Sequence, residues 1–496
     1  MSNQLQLFEL LALGIYLVLL LGIGIRSSRQ VKTSTDYTLA GREVPWMILL
    51  ATSAATMVGG GMSIGIVSTV YEVGLAIVLA STGAYFSLII TGIFLAPRLR
   101  GLNLITAGNY FELKFGEFSR ILATLNSCLF LFTAIVAQMV AMGTITNSVF
   151  GVDYRVAVVI GAMVTVFYST VGGIKAVLTT DVLQFIVLVG GLGAAAAILM
   201  VQHGGLNPLL QQVDQGHLMV TSHWSLMRVV TLFCAFLLGE TLTPPYVVRC
   251  LISKDVRGAR LGVAGAGAFL LLFLPLTSFV LGISALADPT VQQAVSQGNV
   301  QLAFPTILRT AFHPIFAGVM IAALIAAVMS SADSCLSSLA TVAMEDIYRH
   351  AKPKATDRQL LLIARWTTLL LGSLAAVFAF FFKNIISIIE FMYDFWGPSM
   401  VLPFLVGTLW YKRTWIYASV ASMVAGTTAT IVWRFVLDIP GDVSPALLGF
   451  TVAGAALLIT YPLTRNLPLG RWVRPRDPRI SGDLNRDKEV ASDPVG

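Results

Sequence analysis

Residues 46–74 read W-M-I-L-L-A-T-S-A-A-T-M-V-G-G-G-M-S-I-G-I-V-S-T-V-Y-E-V-G. The stretch is long enough to cross a bilayer, yet Gly59, Gly60 and Gly61 interrupt it where the hydrocarbon would be deepest. A lipid-facing helix gains nothing from them. Glycine relaxes the backbone and removes side-chain cover, so carbonyls between Ala54 and Met57 can turn out of the helical ladder. Irregular backbone at that depth persists only where protein or a cavity receives the freed groups. The stretch therefore predicts half of a binding site near the membrane midplane.

The rest of the chain supplies the membrane. It is 56% hydrophobic and 11% charged, against about a quarter charged in soluble domains. Scanning for runs of about 20 apolar residues gives about thirteen candidates, starting near Leu5, Trp46, Leu75, Ile121, Arg155, Val177, Leu226, Leu261, His313, Leu360, Ile386, Trp415 and Pro445. The first follows M-S-N-Q-L-Q-L-F-E-L, with neither the basic start nor the A-x-A site of a secretory signal, and is expected to stay as a helix. The net charge of +7 does not point to nucleic acid, because the basic residues fall in alternate loops. One such loop holds Arg98, Arg100, Lys114 and Arg120, and another Arg249, Lys254, Arg257 and Arg260. This bias predicts a multi-pass protein of a cell membrane of the bacterial inner-membrane type, with the N-terminus outside and the C-terminus cytoplasmic. Cys128, Cys234, Cys250 and Cys335 lie in or beside membrane runs and predict no disulfide framework. The five histidines have no metal-ligand spacing, so no metal site is expected on them.

Along the chain, Leu102 to Phe118 is mixed in character and is expected at the cytoplasmic surface. In V-G-G-I-K-A-V-L-T-T-D-V-L-Q-F, residues 171–185, Gly172 and Gly173 predict a tight turn, and Asp181 falls inside the next span. A carboxylate at that depth costs about 3 kcal/mol and faces a partner or water, unless Asp181 is a helix cap nearer the surface. A second interruption lies in F-C-A-F-L-L-G-E-T-L-T-P-P-Y-V-V-R, residues 233–249. Pro244 and Pro245 cannot donate backbone hydrogen bonds and push the residues ahead of them out of helical geometry. Glu240 stands beside this break.

The two breaks correspond. Each opens a set of five runs, and the charge bias sends the two sets through the membrane in opposite senses, as expected of inverted repeats with a solute site at the breaks. The predicted units are 1–45, a leading helix and loop; 46–225, the first repeat; 226–413, the second; 414–464, two further spans; and 465–496, a disordered tail.

Residues 326–349 read A-A-V-M-S-S-A-D-S-C-L-S-S-L-A-T-V-A-M-E-D-I-Y-R. Ala327, Ser330, Ser331 and Ser334 recur at helical spacing, so one face presents small groups and hydroxyls, with Asp333 among them. Such a face serves either close helix packing or oxygen ligation of a hard monovalent cation. In I-I-E-F-M-Y-D-F-W-G-P, residues 388–398, Gly397 and Pro398 predict a kink. Glu390 and Asp394 are read either as a gate or as solvated charges.

G-G-I-K-A-V-L-T-T-D-V-L-Q at 172–184, together with A-V-M-S-S-A-D-S-C-L-S-S and E-D-I-Y at 345–348, resembles the sodium/solute symporter family over nearly the whole chain. In motif it looks closest to the choline- and proline-type branches. The resemblance implies an all-α polytopic fold of LeuT-like type, a five-plus-five inverted repeat behind a leading helix. It implies Na⁺ as coupling ion, bound by carbonyls of Ala54, Met57 and Ala327 and hydroxyls of Ser330 and Ser331. A second sodium site, present in some members, would use Asp181, Ser330, Ser334 and position 333, which here is Asp333 where several members have serine. On this reading Asp181→Asn weakens sodium dependence. Solute contacts are expected from Val58, Gly59, Gly60, Gly61, Glu240 and Thr241. With Glu240 at one break and no basic residue deep in the other, the expected partner is a small amino-acid-like or other nitrogen-containing solute. The chain lacks G-x-x-x-x-G-K-[ST] and presents no nucleophile with a base, so no enzyme is expected. The alternatives are a proton-coupled symporter and a channel or sensor on the same fold.

Overall fold

The computed structural model describes residues 33–476 except 103, 297–298 and 438–442, together with scattered positions between 11 and 26. The apolar run near Leu5 and the tail beyond 476 lie outside the described residues. The helices used below are α1 (Trp46–Met57), α2 (Ile66–Val73), α3 (Leu75–Ile90), α4 (Ala107–Phe115), α5 (Glu117–Phe150), α6 (Tyr154–Gln202) and α7 (Leu226–Glu240). They continue as α8 (Pro244–Ile252), α9 (Val256–Ala287), α10 (Pro314–Val342), α11 (Asp357–Ala379), α12 (Ile385–Leu409), α13 (Ile416–Phe435) and α14 (Pro445–Thr464).

Among the described residues nine helices are long and apolar enough to cross a membrane. Two bent pairs raise this to eleven: Trp46–Met57 with Gly61–Val73, bent by 59°, and Leu226–Glu240 with Pro244–Ile252, bent by 47°. Both predicted breaks are therefore present. α6 is not one straight rod either: Gly173 leaves helical geometry at φ 65°, ψ 178°, so the expected turn separates two spans there.

α10 is the axis of the bundle. Every residue from Met320 to Val342 is buried, which is what a helix apolar or small on all faces requires. α5 and α6 pack along it, and α1 is enclosed by α6, α9 and α10. The near ends of the two broken spans are tied by backbone: Val44 N–H donates to the Ile252 carbonyl at 3.2 Å and Lys254 N–H to the Val44 carbonyl at 2.9 Å.

The stretch 102–118 and the described part of the tail both make contacts with the bundle. The stretch 102–118 contains α4, whose Tyr110, Phe111 and Phe115 are fully buried, with Tyr110 stacked on Phe404 at 4.6 Å. Its mixed polarity arises because its carboxylate and lysine are buried too, Glu112 facing Arg476 at 3.0 Å and the Lys114 ammonium lying 4.1 Å over the Tyr411 ring. The described part of the tail, 465–476, is mostly exposed but anchored at points: the Gly470 N–H donates to the Tyr417 hydroxyl at 2.8 Å, and Val473 lies against the hydrophobic core.

Candidate functional site

The first break forms because α1 cannot continue past its glycines and has somewhere to go. Val58 leaves helical geometry at φ −84°, ψ 46°, and the chain resumes in a wide turn over Gly61–Gly65. A Cβ on Gly59 would collide with Ser331 Oγ on α10, and one on Gly60 with the Ala141 Cβ on α5. The glycines are there for close approach. The freed Gly60 N–H donates to Gln138 Oε1 at 2.8 Å.

The second break is built by different chemistry. Leu242 sits at φ 53°, a left-handed position uncommon for a leucine, and Pro244 opens α8 at the first helical position, where a missing N–H costs nothing. The Thr241 carbonyl exposed by the break accepts from Trp396 Nε1 at 2.9 Å.

Between the breaks lies a cavity of about 60 Å³. Its polar wall is Thr56, Gln138, Glu240, Thr243, Tyr246, Ser331 and Tyr393, and its apolar wall includes Met62, Phe130, Ile389 and Met392. Tyr393 and Tyr246 line this cavity together with the Glu240 carboxylate. Of the residues expected to touch solute, Gly59, Gly61 and Glu240 line this cavity, while Val58, Gly60 and Thr241 stand behind its wall. Gly60 and Thr241 are instead held by the bonds that terminate their helices. Gln138, Tyr246 and Tyr393 were not picked out from the sequence. A glutamine in the middle of the apolar run of α5 was the available signal for Gln138.

On the other side of the first break, α10 meets the end of α1 through hydroxyls. Ser330 Oγ lies 2.9 Å from both the Ala55 and the Ala327 carbonyls, and Ser331 Oγ donates to the Thr56 carbonyl at 2.6 Å. The serine face and Ala327 thus meet the frayed end of α1. The carbonyls directly engaged are Ala55 and Thr56, not the Ala54 and Met57 carbonyls expected. The Ala54 carbonyl still accepts the Val58 N–H at 3.1 Å, because helical bonding persists one residue past α1.

Two of the residues expected to form a second cation site, Asp181 and Ser334, are arranged around a cation the chain supplies itself. Arg249, counted above among loop residues, is fully buried. Its Nη2 donates to Ser334 Oγ at 2.7 Å, Thr52 Oγ1 at 3.0 Å and Asp181 Oδ2 at 3.2 Å, and also to Thr56 Oγ1. Thr52 in turn hydrogen-bonds Asp181. Asp181 is therefore neither a surface cap nor free. Asp333, on α10, instead accepts from Ser169 on α6. Asp181 and Ser334 come together, and Asp333 is engaged elsewhere.

Glu390 and Asp394 separate in role. Asp394 is buried, pairs with Arg434 and accepts the Ala446 N–H at 3.0 Å, sharing the capping of α14 with Ser444. Glu390 is part-exposed and faces Arg228 at 3.8 Å.

Comparison with known proteins places this geometry. The model of the sodium:solute symporter family matches residues 37–426. The chain is 26% identical over 437 residues to the osmoregulated proline transporter OpuE of Bacillus subtilis (strain 168), covering 86% of this chain and 88% of that protein. It is 27% identical over 451 residues to a sodium/glucose cotransporter of Vibrio parahaemolyticus, covering 83% and 82%. Among solved structures, a substrate-bound, outward-open Na⁺-coupled sialic acid symporter superposes with a TM-score of 0.80 at 22% identity, over 93% of this chain and 99% of that one. The fold is LeuT-like.

Proposed function

The chain belongs to the sodium:solute symporter family and is a multi-pass, sodium-coupled symporter; on that premise we propose that its solute is a small amine-bearing molecule of amino-acid type, held between the two broken spans. Relatives named for proline, glucose and sialic acid share the scaffold, so the solute has to be argued from this chain's own wall. The observation that carries the reading is Glu240. Its carboxylate lies in the cavity wall, and no lysine, arginine or histidine lines that cavity. The nearby buried cation, Arg249, is spent on Asp181. A buried carboxylate calls for a paired charge, and a solute ammonium would supply one. Tyr246 and Tyr393 would orient it, and Phe130 and Met392 would enclose the hydrocarbon.

Sodium, as cargo, is assigned to the seam between α1 and α10: the hydroxyls of Ser330 and Ser331 with the carbonyls of Ala54, Met57 and Ala327, next to those of Ala55 and Thr56. Oxygen donors of this kind suit a hard cation. Supporting this is the convergence of both serines on the end of α1. We read a single sodium per cycle, because the Arg249 Nη2 occupies the centre of the oxygens that Asp181 and Ser334 would offer a second one. One charge moving down 100 mV yields about 2.3 kcal/mol and a tenfold gradient about 1.4 kcal/mol. Together these support accumulation of a neutral or zwitterionic solute by about a few hundredfold. The repeats are taken as 46–225 and 226–413, with the N-terminus outside and the C-terminus in the cytoplasm of a bacterial-type inner membrane, as the charge bias supports.

Uptake into proteoliposomes tests the reading. A sodium gradient should drive saturable, concentrative uptake of an amine-bearing solute where a potassium gradient does not, which a channel cannot do. Glu240→Gln should raise the solute half-saturation by about tenfold or more, the worth of a hydrogen bond to a charged group, without moving the sodium half-saturation. An amine-bearing solute taken up equally well by Glu240→Gln would defeat the assignment.

A further inference from the structure

The loop joining α6 to α7 carries a cluster that transport does not use. Asp214 caps a single turn, Gln215–Leu218, with its Oδ2 accepting the Gly216 N–H at 3.0 Å. His217 follows on that turn, and His223 folds back so that the two imidazole centroids are 4.5 Å apart at an interplanar angle of 51°. Asp214, His217 and His223 each offer one ligand atom, and the three atoms lie within 4.8 Å of one another. Linear spacing hid this, because the second histidine is brought in by a reversal of the chain. Gly216 makes room: a Cβ there would meet Ser222 Oγ at 2.8 Å and His223 Cε1 at 3.1 Å.

We propose that Asp214, His217 and His223 form a binding site for a borderline divalent transition ion of the zinc type, and that its occupation clamps the outer half of the first broken span. Two observations beyond proximity carry this. His217 is about nine-tenths buried, at 9% exposure, yet its Nδ1 has no hydrogen-bond partner. That nitrogen stands 3.8 Å from Asp214 Oδ2, too far for a hydrogen bond. A tetrahedral ion bound at about 2.0–2.1 Å holds its ligand atoms about 3.4 Å apart, so a small closure of the exposed Asp214 and His223 side chains would complete the site. The His217 ring also lies beside backbone groups of Tyr71 and Glu72 at the end of α2, the kind of outer contact that fixes a ligating imidazole. Two imidazoles and one carboxylate favour zinc, nickel or copper over calcium and magnesium.

The position gives the site its consequence. The His217 backbone packs directly on Gly74, which joins α2 to α3 at φ 63°. A metal that stiffens residues 214–223 therefore stiffens the end of α2, and a transporter that must tilt this half-helix is slowed.

Zinc ion alone is the probe. Added to the purified full-length protein in detergent, Zn²⁺ should raise the thermal unfolding midpoint where Mg²⁺ and Ca²⁺ do not. His223→Ala and Asp214→Asn, both at exposed positions, should weaken the response by about tenfold or more in zinc concentration, as loss of metal contacts does. His217→Ala should do the same, and the two exposed variants keep the test valid if that buried change impairs folding. In cells, external Zn²⁺ should lower uptake, with the ratio of uptake with and without zinc returning to one in His223→Ala. No zinc shift in the wild type, or an equal shift in His223→Ala, overturns the site. A shift without loss of uptake overturns the clamp.

Discussion

Removing either partner of the Arg249–Asp181 pair, and then both, is the sharpest test of the charge arrangement at the centre of the bundle. The Nη2 to Oδ2 separation is 3.2 Å, with side-chain exposures of 1% and 0%. At that distance and an effective dielectric of about 20, the attraction is about 5 kcal/mol. Breaking one half of a buried pair characteristically costs about 3–5 kcal/mol, because a charge is left without compensation. Asp181→Asn leaves Arg249 facing hydroxyls and the Pro245 carbonyl but no charge, and Arg249→Met leaves Asp181 with Thr52 alone. Each single change should therefore lower the unfolding free energy of the protein in mixed detergent micelles by about 3 kcal/mol or more. The double change removes both charges and should recover most of that loss. Sodium half-saturation of uptake is the second readout, because Asp181 as a sodium ligand and Asp181 as the arginine's partner predict opposite results for the double variant. If Arg249 is its partner, the double variant keeps the sodium response of the wild type. Losses that simply add in the double variant, or sodium dependence that falls in Asp181→Asn and stays lost when Arg249→Met is added, would refute the assignment of Arg249 as resident cation.

Ser331→Ala removes a hydroxyl assigned to sodium and should raise the sodium half-saturation of uptake by about tenfold or more, at about 1.5–3 kcal/mol for a contact to a charged group; an unchanged value would move the ion elsewhere. Gly59→Ala places a methyl against Ser331 Oγ and should cost about 1–3 kcal/mol as overpacking does, with a rise in sodium half-saturation that does not add to that of Ser331→Ala. Additive effects would show that the two residues do not meet. Asp394→Ala removes one of the two acceptors that cap α14 and the partner of Arg434 and should lower stability by about 2 kcal/mol, within the range for a hydrogen bond to a charged group. Glu390→Gln, at a part-exposed pair, should change it by less than about 1 kcal/mol. Thermal unfolding in detergent separates the two, and equal shifts would contradict the distinction between cap and surface pair.

The features legible in the sequence are those written as local instructions. Three glycines and a proline pair dictate where a helix cannot continue, whatever packs around it, so both breaks could be read. The serine spacing on α10 could be read for a similar reason, since helical periodicity alone puts Ala327, Ser330, Ser331 and Ser334 on one face. Arg249 could not. It sits five residues before Lys254 in an ordinary-looking basic stretch, and its burial follows from Thr52, Asp181 and Ser334, which approach from three other helices. Gln138 is the same case: its amide matters only because Gly60 loses a helical partner 78 positions earlier. Asp394 and Glu390, one turn apart, could not be told apart until α14 brought its first-turn N–H to one of them.

These long-range contacts share a cause. A helix broken inside a bilayer leaves polar backbone groups that water cannot reach, so each must be met by a side chain from another element. Gln138 meets the Gly60 N–H, Trp396 meets the Thr241 carbonyl, and Ser330 and Ser331 meet the end of α1. Among the groups that make the breaks tolerable, Gln138 and Ser331 also line the cavity, and Ser330 and Ser331 form the seam to which sodium is assigned. This has a consequence for coupling. Because α1 is held to α10 through the oxygens assigned to the ion, any movement of α1 against α10 changes the ion's ligand set, and any gain in ion binding favours the arrangement in which α1 and α10 are together. A differential affinity of that kind is the physical requirement for one flow to drive another, and here it follows from satisfying the ends of a broken helix.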